Sequence, residues 1–256
     1  MQRTISAMVG KGSVNHNSRK FRAENVDGTR THLNIDYCNE NIKTVYHELF
    51  DEALERYNAK QIRSDRKIKD YYEKIRSSKQ EKPFHEIILQ VGGKGNMNAD
   101  TENGELAKQI LDEYYQGFQE RNPQLRVFSA HLHMDEATPH LHIDFVPFTT
   151  GSKRGLDTRV SLKQALATQG FKGGSRGDTE WSQWVQSEKE QLAAVMERYG
   201  IEWEHKGTHE KHLSVLDYKK QEREKEVAVL GAKIEQKQIE FDVLSERVLN
   251  LSLIHI

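Results

Sequence analysis

The chain is expected to fold as an α+β domain, an antiparallel sheet covered by helices, followed by a C-terminal coiled-coil helix. Three observations predict this. A long apolar stripe at helical spacing begins at Ile42, two apolar-alternating runs lie close together at 125–133 and 140–146, and heptads of apolar residues occupy the last part of the chain. The first strand is expected over Thr4 to Val9. Val45, Tyr46, Leu49, Phe50, Ala53, Leu54 and Tyr57 then recur three and four apart, which puts one stripe on one helix face. The charged stretch QIRSDRKIKDYYEKIRSSK that follows has few apolar positions, so it is expected to project into solvent or form a second exposed helix, closed by Pro83. Phe84 to Val91, running into Gly92 and Gly93, reads as a buried strand entering a turn. Leu106, Ile110, Leu111, Tyr114 and Phe118 mark a further helix that stops before Pro123. Leu125 to His133 and His140 to Val146 are then two strands joined by MDEATP.

The bulk properties narrow the class. At 256 residues there is room for one sizeable domain and an appendage. A net charge of -1 announces no nucleic-acid binder, so any such binding must come from a local patch. One exists. Between Gly151 and Gly177 stand Lys153, Arg154, Arg159, Lys163, Lys172 and Arg176 against the single acid Asp157, with glycines among them. Cys38 is alone, which rules out an internal disulfide and a cysteine-based zinc site. With neither a secretory signal nor an apolar run of membrane-spanning length, the expected location is the cytoplasm.

After a helix carrying Trp181, Trp184, Val185, Leu192 and Val195, heptads begin. Val227, Ile234, Phe241 and Val248 share one position, and Leu230, Leu244 and Leu251 another, interrupted by Lys237. The expected division is a domain over 1–212 and the start of a coiled coil over 213–256. The heptads run to the last residue without a cap, so the chain is expected to continue in a longer protein.

The chemistry concentrates in HLHMDEATPHLHIDF, residues 131–145, where four histidines fall within twelve residues. Strand side chains two apart share a face, so His140 and His142 present two imidazoles together, as do His131 and His133. A tight hairpin lets one histidine of the first pair join the second pair in a three-nitrogen metal site with open positions, the arrangement of a catalytic site. Asp135 and Glu136 lie beside it as orienting groups or a proton acceptor. The helical HExxH pattern of metalloproteases is absent. A nucleotide hydrolase with alternating histidines on one strand would want a third after His142, where Asp144 stands. Near the N-terminus, NHNSRKFR sets Arg19 three residues from His16, so a guanidinium could hold a phosphate oxygen while the imidazole reacts.

Taken together, HNSR at 16–19, HLHMDEATPHLHIDFVP at 131–147 and IEWEHKGTHEKHLSVLDYK at 201–219 resemble the Mob/Pre family of plasmid mobilisation and recombination proteins, relaxases of the histidine-hydrophobe-histidine endonuclease class. The resemblance covers roughly residues 1–220. It implies a relaxase-like fold, with metal held by His133, His140 and His142, Glu136 close to it as candidate base, and His16 as nucleophile with Arg19 beside it. Tyr37 is the alternative nucleophile, whereas Tyr46 falls within the helical stripe. The implied activity is site- and strand-specific nicking at an origin of transfer, with a covalent 5′-phosphate adduct, for conjugative mobilisation or plasmid recombination. Mn2+ or Mg2+ is the implied cofactor, although three imidazoles would also hold Zn2+.

The implied partners are single-stranded or hairpin DNA, gripped by the basic segment with Arg22 and Arg30, a second copy of the chain through the coiled coil, and a coupling protein of a conjugation system. Phe171 and Trp181 could stack bases, while Trp184 is expected in the core. Attachment to a membrane is implied only through regions beyond this chain. Two other classes compete: a metal-dependent phosphoesterase, and a non-cleaving DNA-binding protein with a structural metal.

Overall fold

A computed structural model describes the backbone of residues 1–205 and 215–254, with side chains through 205, at 220 and over 223–245. In chain order the elements begin with β1 (Gln2–Arg3), β2 (Ile5–Val9), α1 (Val14–Asn17), β3 (Ile35–Asn39), α2 (Ile42–Ala59), α3 (Tyr71–Arg76) and β4 (His85–Val91). There follow α4 (Glu102–Gln116), α5 (Phe118–Arg121), β5 (Leu125–His133), β6 (His140–Thr149) and β7 (Arg159–Val160). The last are α6 (Leu162–Thr168), α7 (Glu180–Arg198), β8 (Glu202–Trp203) and α8 (Val215–Ile254). Contacts divide the chain into a unit of residues 1–206 and a second of 207–256.

The first unit is the expected α+β sandwich. Five antiparallel strands lie in the order β2-β4-β6-β5-β3, and β7 pairs with the far end of β6. β1 and β8 form a separate parallel pair. Because strand side chains alternate, each strand sends its apolar set to one face. Ile87, Leu89, Leu141, Ile143, Phe145, Ala130 and Leu132 pack there against Ile110, Leu111, Tyr114 and Phe118, with Trp184, Leu192 and Met196. At about 1.5–3 kcal/mol for each fully buried large apolar side chain, this face is the principal source of stability. Trp184 is fully buried, as expected, and its indole N–H donates to Asn122 Oδ1 at 2.7 Å. Trp181 and Phe171 are half-buried against the same core.

The opposite face divides in two. At one end Phe128, Val146 and Val160 meet Val45, Tyr46, Phe50, Tyr71 and Ile75 in a second core. The expected exposed continuation of the first long helix is corrected here. α2 ends at Ala59, and α3 folds back so that Tyr71 and Ile75 are buried. The charged residues hid two apolar positions four apart, one turn of a helix, which suffice to dock so short a segment. At the other end the face is polar, and there the histidines lie.

A bulge decides this. In β5, Val127 pairs with Phe145 but Ser129 with Asp144, so Phe128 is an extra residue. Before it Leu125 and Val127 point into the helix-covered core, whereas after it Ala130 and Leu132 do. Without that one-residue shift, His131 and His133 would face the same side as Leu125 and Val127.

In the second unit α8 is one long helix. Val227, Leu230, Ile234, Phe241 and Leu244 are exposed, while the side chains of Val248 and Leu251 lie outside the described residues. The expected boundary at 212 and most of the third motif segment also lie outside them.

Candidate metal and nucleophile site

Register places His131 opposite His142 and His133 opposite His140, all on the polar face. The rings of His133, His140 and His142 are mutual neighbours, with centroids 4.7 to 5.2 Å apart. Each uses one nitrogen outward. His133 Nε2 donates to the carbonyl of Asn17 at 2.8 Å, His140 Nδ1 to that of Thr138 at 2.8 Å, and His142 Nδ1 to Glu86 Oε1 at 2.6 Å. A carbonyl or an ionised carboxylate only accepts, so these three contacts fix the tautomers. In the neutral rings the lone pairs then fall on His133 Nδ1, His140 Nε2 and His142 Nε2.

That arrangement fits a cation. His133 Nδ1 and His140 Nε2 face each other at 3.4 Å with no proton left to share, and His142 Nε2 is buried without a hydrogen-bond partner. Burial pushes the His142 imidazole down to about 4, with the Glu86 carboxylate opposing, and burial likewise pushes His133 far below its usual value. Both are therefore neutral ligands at physiological pH. Ligand atoms of His16, His133 and His142 lie within 4.8 Å of one another, as do those of His133, Glu136 and His140. Nitrogen donors with a nearby carboxylate suit Mn2+, Mg2+ or Zn2+ and leave positions for a substrate oxygen.

The N-terminal segment completes the constellation. His16 on α1 stands with its ring centroid 6.0 Å from His133 and 6.2 Å from His142. Its Nε2 lies 3.3 Å from Arg19 Nη1 and 3.4 Å from Glu136 Oε1. Arg19 has φ +56°, a left-handed conformation rare outside glycine, and this turns the chain back so that its side chain covers the site. The guanidinium grips Asp135 with Nε at 2.9 Å and Nη2 at 2.5 Å, and the same Nη2 donates to Glu136 Oε1 at 2.9 Å. Burial works against the Glu136 carboxylate. The His16 hydrogen bond and the nearby Arg19 charge help outweigh it and hold the group down at about 2. Glu136 is thus a fixed anion beside His16 and Arg19.

The remaining expected residues are dispersed. His131 is fully buried and pairs with Asp36 Oδ1 at 2.5 Å through Nδ1, beside the cluster. Tyr37 is the extra residue of a bulge in β3 and lies on the helix-covered side, stacked on Tyr115 with its hydroxyl donating to Asp112 at 2.7 Å. The histidine cluster is on the other side. Tyr46 is buried in the second core. Arg30 donates to the Glu136 carbonyl at 2.6 Å and pairs with Asp27 and Asp100, so it braces the site's backbone. Arg22 is exposed. Lys153, Arg154 and Arg159 line a shallow pocket of about 350 Å³ with Gln164, Lys163 pairs with Glu180 at 3.4 Å, and Lys172 and Arg176 are exposed.

Sequence reasoning missed Glu86, Asn17 and Asp144. Glu86 and Asp144 are opposite residues on β4 and β6, both buried on the polar face, and Asn17 is buried between them. Burial, and next the charge of Glu86, push the Asp144 carboxyl up to about 7. A lone acid in the apolar run FHEIILQV was the available signal for Glu86.

A family described as plasmid recombination enzyme matches residues 13–220, from the start of α1 into α8, on a stretch that carries every residue of this constellation. The chain belongs to the Mob/Pre plasmid recombination enzyme family. Among its relatives, plasmid recombination enzyme type 2 of Staphylococcus aureus (strain Mu50 / ATCC 700699) is 26% identical over 97% of this chain and 51% of its own length. Type 3 of Staphylococcus aureus is 27% identical over 60% of this chain and 33% of its own. A Bacillus sp. plasmid recombination enzyme is 26% identical over 93% and 49%. The chain thus spans about half the length, or less, of these Mob/Pre relatives. Two solved structures of a MobM relaxase domain bound to plasmid pMV158 oriT DNA, both Mn-bound, match with TM-scores of 0.51 and 0.52 at 20% identity. They cover 85% of this chain and 98% and 99% of theirs, and they show that the Mob/Pre chain shares that fold.

Proposed function

We propose that this Mob/Pre chain is the DNA-nicking part of a plasmid relaxase, cutting one strand at an origin of transfer with His16 as nucleophile. The observation that carries the reading is the His16 ring, held beside His133 and His142 with Arg19 and Glu136 on its Nε2. A divalent ion held by His133, His140 and His142 would supply Lewis-acid charge against the non-bridging oxygens of the scissile phosphodiester. The rest is work for the chain's own residues. An imidazole nitrogen of His16 attacks phosphorus in line, the bond to the 3′-oxygen breaks, and that oxygen leaves as a hydroxyl after taking up a proton. The 5′-phosphate stays on His16 as a phosphoramidate, so the strand can be resealed by the reverse step. Glu136, ionised and fixed, counters the positive charge that grows on the ring as it attacks. Arg19, whose N–H groups are engaged by Asp135, Glu136 and His16, keeps Glu136 and His16 together and sets its positive charge beside the phosphate.

DNA reaches the site through backbone contacts with Lys153, Arg154, Arg159, Lys163, Lys172, Arg176 and Arg22. The neighbouring MobM domains are bound to oriT DNA and Mn, which supports both the nucleic-acid partner and a divalent metal. Two copies would associate along the exposed heptad residues of α8. The test is incubation of the protein with supercoiled plasmid carrying its origin and Mn2+ or Mg2+. Relaxed circles with protein on the 5′ end are expected, and His16→Ala should abolish the adduct; unchanged nicking in that variant sinks the assignment.

A further inference from the structure

We propose that Glu86 and Asn17 are a positioning pair that ties the helix carrying His16 to the outer nitrogens of His133 and His142, so that cation occupancy of the cluster and docking of His16 are coupled. The inference rests on the proposed roles of those histidines and goes beyond them to Glu86, outside every motif, and to Asn17, a residue of HNSR to which no role is otherwise assigned.

Glu86 is 3% exposed and both of its oxygens are engaged. Oε1 accepts from His142 Nδ1 at 2.6 Å and from Asn17 Nδ2 at 2.8 Å, and Oε2 accepts from the Gly12 N–H at 2.7 Å. One carboxylate therefore holds a cluster histidine and both ends of the segment 12–17. Asn17, 1% exposed, repeats the link from the other side. Its carbonyl accepts from His133 Nε2 at 2.8 Å, and its amide also donates to Asp144 Oδ2 at 3.0 Å. The backbone is shaped to allow this. A Cβ on Gly10 would land on the Glu86 carboxylate, and Gly12 sits at φ +71°. His16, next to Asn17, has its ring set by this chain of bonds.

Coupling follows from the donors. A cation that draws on the lone pairs of His133 and His142 makes their remaining N–H groups stronger donors, which tightens the contacts to Asn17 and Glu86. It also relieves the two lone pairs facing at 3.4 Å. Linkage makes the effect reciprocal: whatever loosens the helix must weaken the cation's binding by the same factor.

The experiment uses the full chain and Mn2+ alone, with no DNA. Hydrogen exchange at amides 16–19 is followed with and without Mn2+, and Mn2+ affinity is measured by calorimetry. In the unaltered chain Mn2+ is expected to slow exchange there. Glu86→Gln should weaken Mn2+ binding about 10- to 100-fold and erase that slowing. Asn17→Ala should erase it too, and in nicking assays should lower kcat with KM unchanged. Thermal melting without metal reports folding, and the unaltered chain's exchange decides the matter even if a variant fails to fold. Exchange insensitive to Mn2+, or Glu86→Gln that melts lower yet binds Mn2+ as before, overturns the coupling alone. Coupling without any nicking would instead overturn the proposed function, and no Mn2+ uptake by the unaltered chain would overturn both.

Discussion

Arg19 adopts a left-handed backbone at a cost of about 1–2 kcal/mol, and the return is a guanidinium that reaches Asp135, Glu136 and His16 together. A lysine has one charged nitrogen and cannot span both oxygens of Asp135 while touching His16. Arg19→Lys is therefore expected to slow single-turnover nicking about a hundredfold, because the nucleophile loses its placement. Retention of the full rate in that variant would contradict the role. Tyr37 gives the opposite expectation. Its hydroxyl bonds Asp112 on the helix-covered side, so Tyr37→Phe should cost about 1 kcal/mol of stability and leave adduct formation at the unaltered level. Loss of the adduct would return Tyr37 to candidacy.

At the scale of elements, α3 is held to the rest by few residues, which makes it a sensitive probe. Ile75 is buried beneath it in the second core, and Ile75→Ala should lower the unfolding free energy by about 2–5 kcal/mol in a denaturant titration. An exposed helix would lose almost nothing. β4 carries a pH dependence of its own. Burial, helped by Lys82, pushes the His85 imidazole down to about 4, beside Phe145 and Trp181. An unfolded histidine binds its proton near pH 6.5, so between about 6.5 and 4 the unfolded chain holds more protons than the folded one. Stability contributed by neutral His85 is whole above pH 6.5 and is lost as the pH falls through that window. His85→Gln should flatten the fall in melting temperature between pH 7 and 4, and an unaltered slope would assign the acid sensitivity elsewhere.

For the whole molecule, the described residues include no helix long and apolar enough to cross a membrane. The second unit presents Val227, Leu230, Ile234, Phe241 and Leu244 to solvent, a stripe at heptad spacing. Sedimentation of the chain with and without the residues after 220 should show a dimer in the first case and a monomer in the second. A monomer in both would end the proposed association.

What the sequence by itself determined is local. The helical stripe of α2, the hairpin of β5 and β6 and the pairing of histidines two apart are written in periods of three-to-four and two, which depend only on neighbouring residues. The resemblance added His16 and Arg19 to that list. Tertiary structure decided the rest. The extra residue Phe128 chose the face for His131 and His133, since a slip of one residue reverses every later side chain and no residue type announces it. The docking of α3 followed from burial of two side chains in a charged segment. Arg19 meets Asp135 across 116 positions and Asn17 meets Glu86 across 69, contacts that exist only because the sheet and α1 are packed together. Side chains so far apart in the chain carry no common period, so their partnership becomes visible only when the fold brings them within hydrogen-bond reach.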